Sequence, residues 1–320
     1  MVTQIIEKLE LLKDSISDFE IKQLYEEKIL NKKNPELSCW FAENIGVADV
    51  AAHSQVVLES KDLNSNYRFA LNVSGSNIRA HGKVIIESKN IEWNYYFARY
   101  VKWSDKKSHG QIIIDSKDLR WNYLFARDVQ KSDNRAHGQV ILESKDLKYN
   151  YLFAKDVKGS NKKSHGQIII DSKNPKYNYL FAKDVEGIDK ELHEQIVLDS
   201  KNLEYNYLFA KDVKESDKKS HGQVILESKD PKYNYLFARD VEESDMNAHK
   251  NIIIQSGNVE LSRRLDKNIN KRLSVKNESY NTSSSNEVME INDNKNFEED
   301  MLCKKTKEEL NKLLELTLKI

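Results

Sequence analysis

The chain has 320 residues and a mass of 37.3 kDa, with 51 basic and 51 acidic residues and only two cysteines, Cys39 and Cys303. Zero formal net charge argues against the basic surface with which proteins grip a phosphate backbone, so nucleic-acid binding is not expected. Two distant cysteines offer neither a disulfide framework nor a cysteine zinc site, which fits a reducing cytoplasm. The N-terminus lacks a signal-peptide core, and without a run of ~18 apolar residues no membrane span is expected.

Residues 1–34 predict an N-terminal cap of two helices. Apolar residues recur at helical spacing, and the polar stretch from Asp14 to Asp18 separates the two groups. The first group is Ile5, Leu9 and Leu12, and the second is Phe19, Ile21, Leu24 and Tyr25.

Residues 35–258 consist of eight consecutive 28-residue units. Counting Pro35 as position 1, position 7 is always Phe, position 8 always Ala and position 26 always Ser. Self-similarity at a fixed period is the signature of a solenoid. All eight histidines of the protein fall on position 19: His53, His81, His109, His137, His165, His193, His221 and His249.

Two positions of each unit predict helix starts because they are always Asp or Asn. Position 28 precedes the position that accepts all three prolines, as in Asn174-Pro175, which is the order of an N-cap and the first helical residue. Position 15 predicts a second start. We therefore expect a helix A over positions 1 to about 11 and a helix B over about 16 to 26. Such short helices need stacking, so the fold class expected is an all-α solenoid of eight helix-turn-helix repeats with capping helices.

A parallel β-solenoid is the alternative fold. The β-branched run Gln111-Ile112-Ile113-Ile114 and the glycine at position 20 of several units favour it. Two capping sites per unit and an apolar stripe such as Tyr177, Phe181 and Val185 favour helices, because strands would show alternation instead.

Three further segments follow the repeats. Residues 259–273 place Leu261, Leu265 and Ile269 where the repeat has apolar residues, and predict a C-terminal capping helix. Residues 274–297 are rich in Asn and Ser and predict a disordered linker. Residues 298–320 predict an amphipathic helix, in which Leu310, Leu313 and Leu314 are candidate partner-binding residues.

The core of the unit, written in full as Tyr177-Asn178-Tyr179-Leu180-Phe181-Ala182-Lys183-Asp184-Val185, resembles short Tyr/Phe-Ala repeats found in tandem in uncharacterised bacterial and viral proteins. The resemblance covers residues 35 to about 258 and implies a helical-repeat fold. It implies no catalytic residue. The chain departs from that pattern in the His and Gly of positions 19 and 20.

The eight aligned histidines suggest a metal site, but the spacing opposes it. Two imidazoles on one zinc ion need nitrogens ~3.3 Å apart, whereas packed helices repeat every ~8–10 Å. We expect each histidine instead to hydrogen-bond a neighbour, with the position-4 asparagine as a candidate. Buried histidines also predict weaker folding below about pH 6. The suggested asparagines are Asn150, Asn178, Asn206 and Asn234.

Pairs such as Lys155-Asp156 and Lys183-Asp184 recur in many units, whereas a catalytic site is a single constellation, so they are interpreted as solvated charge. No phosphate-binding loop, catalytic triad signature or zinc-protease motif is present. We therefore expect no enzymatic activity, no catalytic residue, no metal and no cofactor.

Residues that break the repeat are the strongest candidates for a binding surface. Tyr100 replaces the position-10 Asp of most units, and Trp103 lies in the turn between helices A and B. Aromatic residues beside cations are typical of binding hot spots, and a local packing variant is the alternative. The candidate residues are Trp93, Tyr96, Tyr100, Lys102, Trp103, Lys106 and Lys107.

These patterns predict a monomeric cytoplasmic scaffold that binds another protein, of unknown identity, through an extended solenoid surface. The alternative is a helical-repeat protein that binds nucleic acid, which the aromatic columns at positions 3 and 5 favour and the balanced charge opposes.

Overall fold

The computed structural model describes residues 2–268. These residues form two compact parts, each containing several 28-residue repeats, which are called unit 1 (residues 2–140) and unit 2 (residues 141–268). All the regular structure in this range is helical, so the β-solenoid alternative is not supported. Within each unit, helix A of a repeat packs against its own helix B and against helix A of the next repeat. The fold is therefore an all-α solenoid of helix-turn-helix repeats.

The helices of unit 1 are α1 (Val2–Lys13), α2 (Asp18–Asn31), α3 (Pro35–Asn44), α4 (Val50–Ser60), α5 (Leu63–Asn72), α6 (Ile78–Glu87), α7 (Ile91–Tyr100), α8 (Lys106–Ser116) and α9 (Leu119–Asp128). Helix α10 (Asn134–Ser144) includes the boundary between the units. Unit 2 continues with α11 (Leu147–Asp156), α12 (Lys162–Asp171), α13 (Pro175–Asp184), α14 (Glu191–Asp199), α15 (Leu203–Asp212), α16 (Lys218–Ser228), α17 (Pro231–Asp240) and α18 (Met246–Gln255). Residues 259–268 are helical as well.

Both predicted capping positions are confirmed. In the fourth repeat, Asp118 Oδ1 accepts a hydrogen bond from the Trp121 amide at 2.9 Å, which satisfies one of the free N–H groups at the start of α9. At the other position, Asp105 Oδ1 accepts from the Ser108 amide at 3.1 Å and starts α8. The A helices from α5 to α17 end at position 10, because the valine at position 11 adopts extended backbone and is buried.

The serine of position 26 ends helix B by hydrogen bonding. Ser116 Oγ donates to the Ile113 carbonyl at 2.6 Å and accepts from the Asp118 amide at 3.1 Å. Between them Lys117 adopts the left-handed conformation, with φ of 55°. The serine therefore links the end of one repeat to the N-cap of the next.

The hydrophobic core has the same 28-residue period as the sequence. The phenylalanine of position 7 and the Ile or Val of position 23 are fully or almost fully buried in the repeats, as in Phe181 and Ile169. The tyrosine of position 5 packs between adjacent A helices, and in unit 2 Tyr179 contacts Phe209 of the following repeat at 6.5 Å between ring centroids. Each repeat therefore buries its apolar surface against its neighbours.

Two segments depart from the expected regularity. Helix α14 begins one residue later than the other B helices, and Lys190, at its N-cap, makes no side-chain cap hydrogen bond. In α2, Ile21 and Ile29 are buried, whereas Phe19 and Leu24 are exposed although their spacing suggested core positions.

The chain after α18 keeps the repeat register as far as the structure describes it. Asn258 Oδ1 accepts from the Leu261 amide at 3.1 Å, and Leu265 is fully buried at the phenylalanine position. The remaining residues of the predicted cap, the linker at 274–297 and the helix at 298–320 with Leu310, Leu313 and Leu314 lie outside the described residues.

Candidate partner-binding surface

From the second repeat onward, each histidine is buried in a hydrogen-bond network with the asparagine of position 4. In the fourth repeat, Asn122 Nδ2 donates to the carbonyls of Ile113 at 3.0 Å and Asp118 at 2.8 Å. Asn122 Oδ1 therefore accepts, so the proton of His137 is assigned to Nδ1, which lies 2.8 Å away. The same pairing occurs in His81–Asn66, His109–Asn94, His165–Asn150, His193–Asn178, His221–Asn206 and His249–Asn234.

Burial keeps six of these imidazoles neutral. Loss of water lowers the pKa of His81, His109, His137, His165, His193 and His249 from 6.5 to about 4. The phenylalanine of position 7 lies against the ring, with the centroids of Phe125 and His137 4.8 Å apart. In the first repeat Ser38 replaces the asparagine, and neither Ser38 Oγ nor His53 Nδ1 has a hydrogen-bond partner.

The second ring nitrogen faces the position-20 residue of the preceding repeat. A Cβ atom on Gly110 would lie 3.1 Å from Phe125 Cε1 and 3.5 Å from His137 Nε2, so glycine permits this close approach. With Nδ1 carrying the proton, Nε2 is an acceptor, and His109, His137 and His165 have no donor for it. A buried acceptor without a partner costs about 1–3 kcal/mol.

Two of the histidines face a polar side chain at position 20 instead. Ser54 Oγ lies 3.0 Å from His81 Nε2 and supplies the missing donor. Glu194 Oε1 lies 3.1 Å from His221 Nε2 and also accepts the Asp217 amide at 2.7 Å. His221 Nδ1 is paired with Asn206, so both ring nitrogens of His221 have a polar partner.

Replacing Gly110 by Ser should copy the contact between Ser54 and His81. We expect Gly110→Ser to be about 1 kcal/mol more stable than Gly110→Ala, because both variants add a Cβ against Phe125 but only serine donates to His137 Nε2. Urea unfolding of the two variants measures this difference. Equal stabilities would show that the unpaired Nε2 of His137 does not destabilise the fold.

The histidine network joins repeats by hydrogen bonds, and from the second repeat onward each ring contacts an asparagine and a phenylalanine. Among residues 2–268, no group of three or more His, Cys, Asp or Glu side chains is arranged to hold a metal ion.

The Cys39 thiol is buried and donates to the Ser65 carbonyl, and burial raises its pKa to about 12.

The repeated Lys-Asp sequences form ladders between repeats, which the sequence interpretation as solvated charge did not anticipate. Lys183 does not pair with its neighbour Asp184 but with Asp212 of the next repeat, at 3.2 Å. Tyr179 joins the same cluster, since its hydroxyl donates to Asp212 at 2.5 Å and accepts from Lys183 at 3.1 Å. Burial raises the pKa of Asp212, but the hydrogen bonds from Tyr179 and Lys183 outweigh it and lower the pKa overall.

Tyr100 interrupts this ladder. At position 10 of the third repeat it stands where an aspartate would meet Tyr67 of the second repeat, as Asp128 meets Tyr95 at 2.6 Å one repeat later. Tyr100 is 48% exposed, and the Arg99 guanidinium lies 5.0 Å from the centre of its ring. The third repeat therefore presents an aromatic ring where later repeats present a paired aspartate, as in Asp128 and Asp212.

The surface of unit 1 carries a connected group of rings, which we call the aromatic face: Tyr67, Trp93, Tyr96, Tyr100 and Trp121. Tyr96 is central, with ring centroids 6.2 Å from Trp93, 6.3 Å from Tyr100 and 6.4 Å from Trp121, and Trp93 lies 5.5 Å from Tyr67. The sequence prediction named Trp93, Tyr96 and Tyr100 but missed Tyr67 and Trp121. The signal for them was their place at positions 5 and 3 of the adjoining repeats, which meet only when repeats stack.

Trp103 lies apart from these ring contacts. Its side chain is 81% exposed and its backbone has φ of 68°, in the left-handed region where the corresponding turns of other repeats have Gly75 and Gly159. Lys102 Nζ lies 5.4 Å from the centre of the Trp103 ring. Lys131, Glu215 and Glu243 adopt the same left-handed conformation in other repeats, so the distinctive property of Trp103 is the exposure of a large apolar side chain, which does not benefit folding.

The predicted lysines surround this turn. Lys102 and Lys107 are exposed and Lys106 is partly exposed. Within residues 2–268 none of the three forms an ion pair, because Asp105 is occupied with capping α8. The turn between α7 and α8 therefore combines an exposed indole with unpaired positive charge.

None of the helices in the described part of the chain is both long and apolar enough to cross a membrane. Comparison with protein-family models, with curated proteins and with solved structures found no match.

Proposed function

We propose that the protein is a non-enzymatic, monomeric scaffold of the cytoplasm that binds another protein through the aromatic face, Trp103 and the lysines beside it. The observation that carries the proposal is Trp103, a large apolar side chain that is 81% exposed in a left-handed turn. Trp, Tyr and Arg dominate the binding energy of protein interfaces, and all three occur here. The buried Cys39 thiol supports a reducing compartment.

The repeat supplies a comparison for this surface. In one repeat of unit 2, Asp184 is the equivalent of Tyr100 and Gly187 is the equivalent of Trp103. Both residue types are common on solvent-exposed surfaces. Unit 1 replaces both with rings, and Leu71 of the second repeat adds a further exposed apolar side chain. An exposed apolar group of this kind favours a binding site over a packing variant, since the repeat packs equally well without it.

A pull-down with the full chain and with the double variant Tyr100→Asp/Trp103→Gly tests the proposal. Aspartate is the usual residue at position 10, and glycine occurs at position 13 in three of the eight repeats. Glycine suits the left-handed turn and the introduced aspartate can accept from the Tyr67 hydroxyl, so we expect the melting temperature to stay the same or rise. We expect recovery of partner proteins in salt-washed samples to fall at least tenfold. Glu243→Gly, at the same turn position of the eighth repeat, is the matched control and should leave recovery unchanged.

An unchanged partner list for the double variant would contradict the proposal. Deleting residues 298–320 separately tests whether the C-terminal leucines contribute to partner binding.

Nucleic-acid binding is the second candidate, and one observation favours it. Cations lie over the position-3 rings in several repeats, as in Arg120 over Trp121 at 5.5 Å and Lys232 over Tyr233 at 5.3 Å, an arrangement that suits stacked bases beside phosphates. The zero net charge opposes it. RNA binding that weakens steeply with added salt would reverse the order of the two candidates.

A further inference from the structure

The aromatic face is rich in hydrogen-bond donors that the protein does not use. Among residues 2–268, the indole N–H groups of Trp93 and Trp121 and the hydroxyl of Tyr100 have no hydrogen-bond partner, whereas Tyr96 donates to Glu92 at 3.3 Å. An occupant of this face should therefore bring free acceptors and apolar surface together. A polyproline II segment does so, because it has no internal hydrogen bonds and leaves its carbonyl groups free.

The repeat spacing selects among the conformations that an occupant could adopt. Trp93 and Trp121 hold the same position on α7 and α9, which pack against each other, so they are separated by roughly the 8–10 Å of packed helices. A polyproline II helix advances about 9.3 Å in each turn of three residues. A strand repeats one face every ~6.7 Å, which does not match the spacing of the two tryptophans, and an α-helix comes near it only over two turns of ~10.8 Å, whereas a polyproline II helix matches it in a single turn.

The charged side chains around the aromatic face indicate which residues the occupant should carry beside its apolar part. Arg99 is already paired with Asp128 at 2.9 Å. Arg120, beside Trp121, and Lys102, Lys106 and Lys107, at the neighbouring turn, have no acidic partner among residues 2–268. Glu92 also lies at the face, where it accepts from Tyr96, so acidic side chains on the occupant would complement the positive charge of Arg120 and the three lysines.

We propose that the aromatic face binds an acidic, proline-rich segment of a partner protein in the polyproline II conformation. Prolines pack against Trp93, Tyr96 and Trp121, the two indole N–H groups donate to carbonyls one turn apart, and acidic residues of the segment face Arg120 and the lysines. The proposal rests on the proposed function, since it names the chemistry of the partner.

Fluorescence anisotropy of the full chain with labelled twelve-residue peptides tests it. The probe is a Pro-Pro-Glu repeat, and the controls are an Ala-Ala-Glu repeat, a Pro-Pro-Lys repeat and a twelve-nucleotide oligothymidine. We expect the Pro-Pro-Glu peptide to bind at least tenfold more tightly than each control. Equal affinity for Ala-Ala-Glu, or tighter binding of the oligothymidine, would overturn the proposal.

The variant Tyr96→Leu removes the centre of the face and introduces the residue that Leu124 and Leu180 provide in other repeats. We expect it to weaken Pro-Pro-Glu binding at least tenfold while the melting temperature changes little. Leu180→Tyr, at the same position of unit 2, is the control and should leave the affinity unchanged. If Tyr96→Leu binds as wild type, the face is not the site. The peptide titration and the pull-down test different claims. If the Pro-Pro-Glu peptide fails to bind but Tyr100→Asp/Trp103→Gly still lowers partner recovery, the proline-rich occupant is wrong and the protein-binding function stands.

Discussion

Acidification from pH 7.5 to 5.5 should remove about 8 kcal/mol from the free energy of unfolding. In each of six repeats the histidine pKa falls from 6.5 in the unfolded chain to about 4 in the folded protein, which contributes about 1.3 kcal/mol per histidine over this interval. Because the unfolded chain binds more protons, stability is present above pH 6.5 and is lost as the pH falls toward 4. The loss is comparable to the entire stability of a typical domain, about 5–15 kcal/mol.

The groups that face these rings do not offset the effect. In the fourth repeat His137 contacts the neutral side chains of Asn122 and Phe125, and its Nε2 faces Gly110, so no carboxylate is in contact with the ring to hold an imidazolium. Asp133 raises the pKa of His137, but burial outweighs it. Carboxylates that are hydrogen-bonded in the fold, such as Asp240 with Arg239, have lowered pKa values and lose their stabilising effect only below about pH 4.

Melting temperatures at pH 7.5 and 5.5 test this expectation, and equal values would contradict it. His137→Asn keeps an amide donor near Asn122 but removes one titrating group. We expect this variant to lose less stability over the same pH interval than the wild type does, by about 1.3 kcal/mol. The replacement of Lys107, which is exposed, by Gln should leave the pH dependence unchanged.

Replacing Asn122 by Leu should cost about 1–3 kcal/mol of folding free energy. The substitution leaves the buried Nδ1–H of His137 without a partner, whereas the Ile113 carbonyl keeps its bond from Ser116 Oγ and the Asp118 carbonyl keeps its bond from the backbone amide of residue 122. Each unsatisfied buried group costs about 1–3 kcal/mol, and the similar size of leucine leaves no cavity to add to this.

Urea unfolding measures the loss, and amide exchange shows whether it is confined to the repeats around α9 and α10. Gln111→Leu is the control, because Gln111 is exposed and bonds only to Asp115 on its own helix. We expect the control to remain within about 0.5 kcal/mol of wild type. A loss below about 1 kcal/mol in Asn122→Leu would show that the asparagine is not the hydrogen-bond centre of the repeat.

Part of the candidate surface could be predicted from the sequence. Tyr100 and Trp103 were identified because they break a regular pattern, and the structure places both at exposed positions. The aromatic face as a connected group could not be predicted, because Tyr67 and Trp121 join it through contacts between helices of adjoining repeats. The ion pair between Lys183 and Asp212 could not be predicted either, since Asp184 is the neighbour of Lys183 in the chain but Asp212 is its neighbour in space.

The sequence by itself determined the helical repeat. Capping and periodicity act within a few residues, so the Asp or Asn at positions 15 and 28, with proline after the latter, were sufficient to place two helices in each unit. The tertiary structure decided what the aligned histidines do. Their tautomer, their neutral charge and the unsatisfied Nε2 of His137 depend on which atoms of the next repeat lie within about 3–4 Å, a distance set by helix packing.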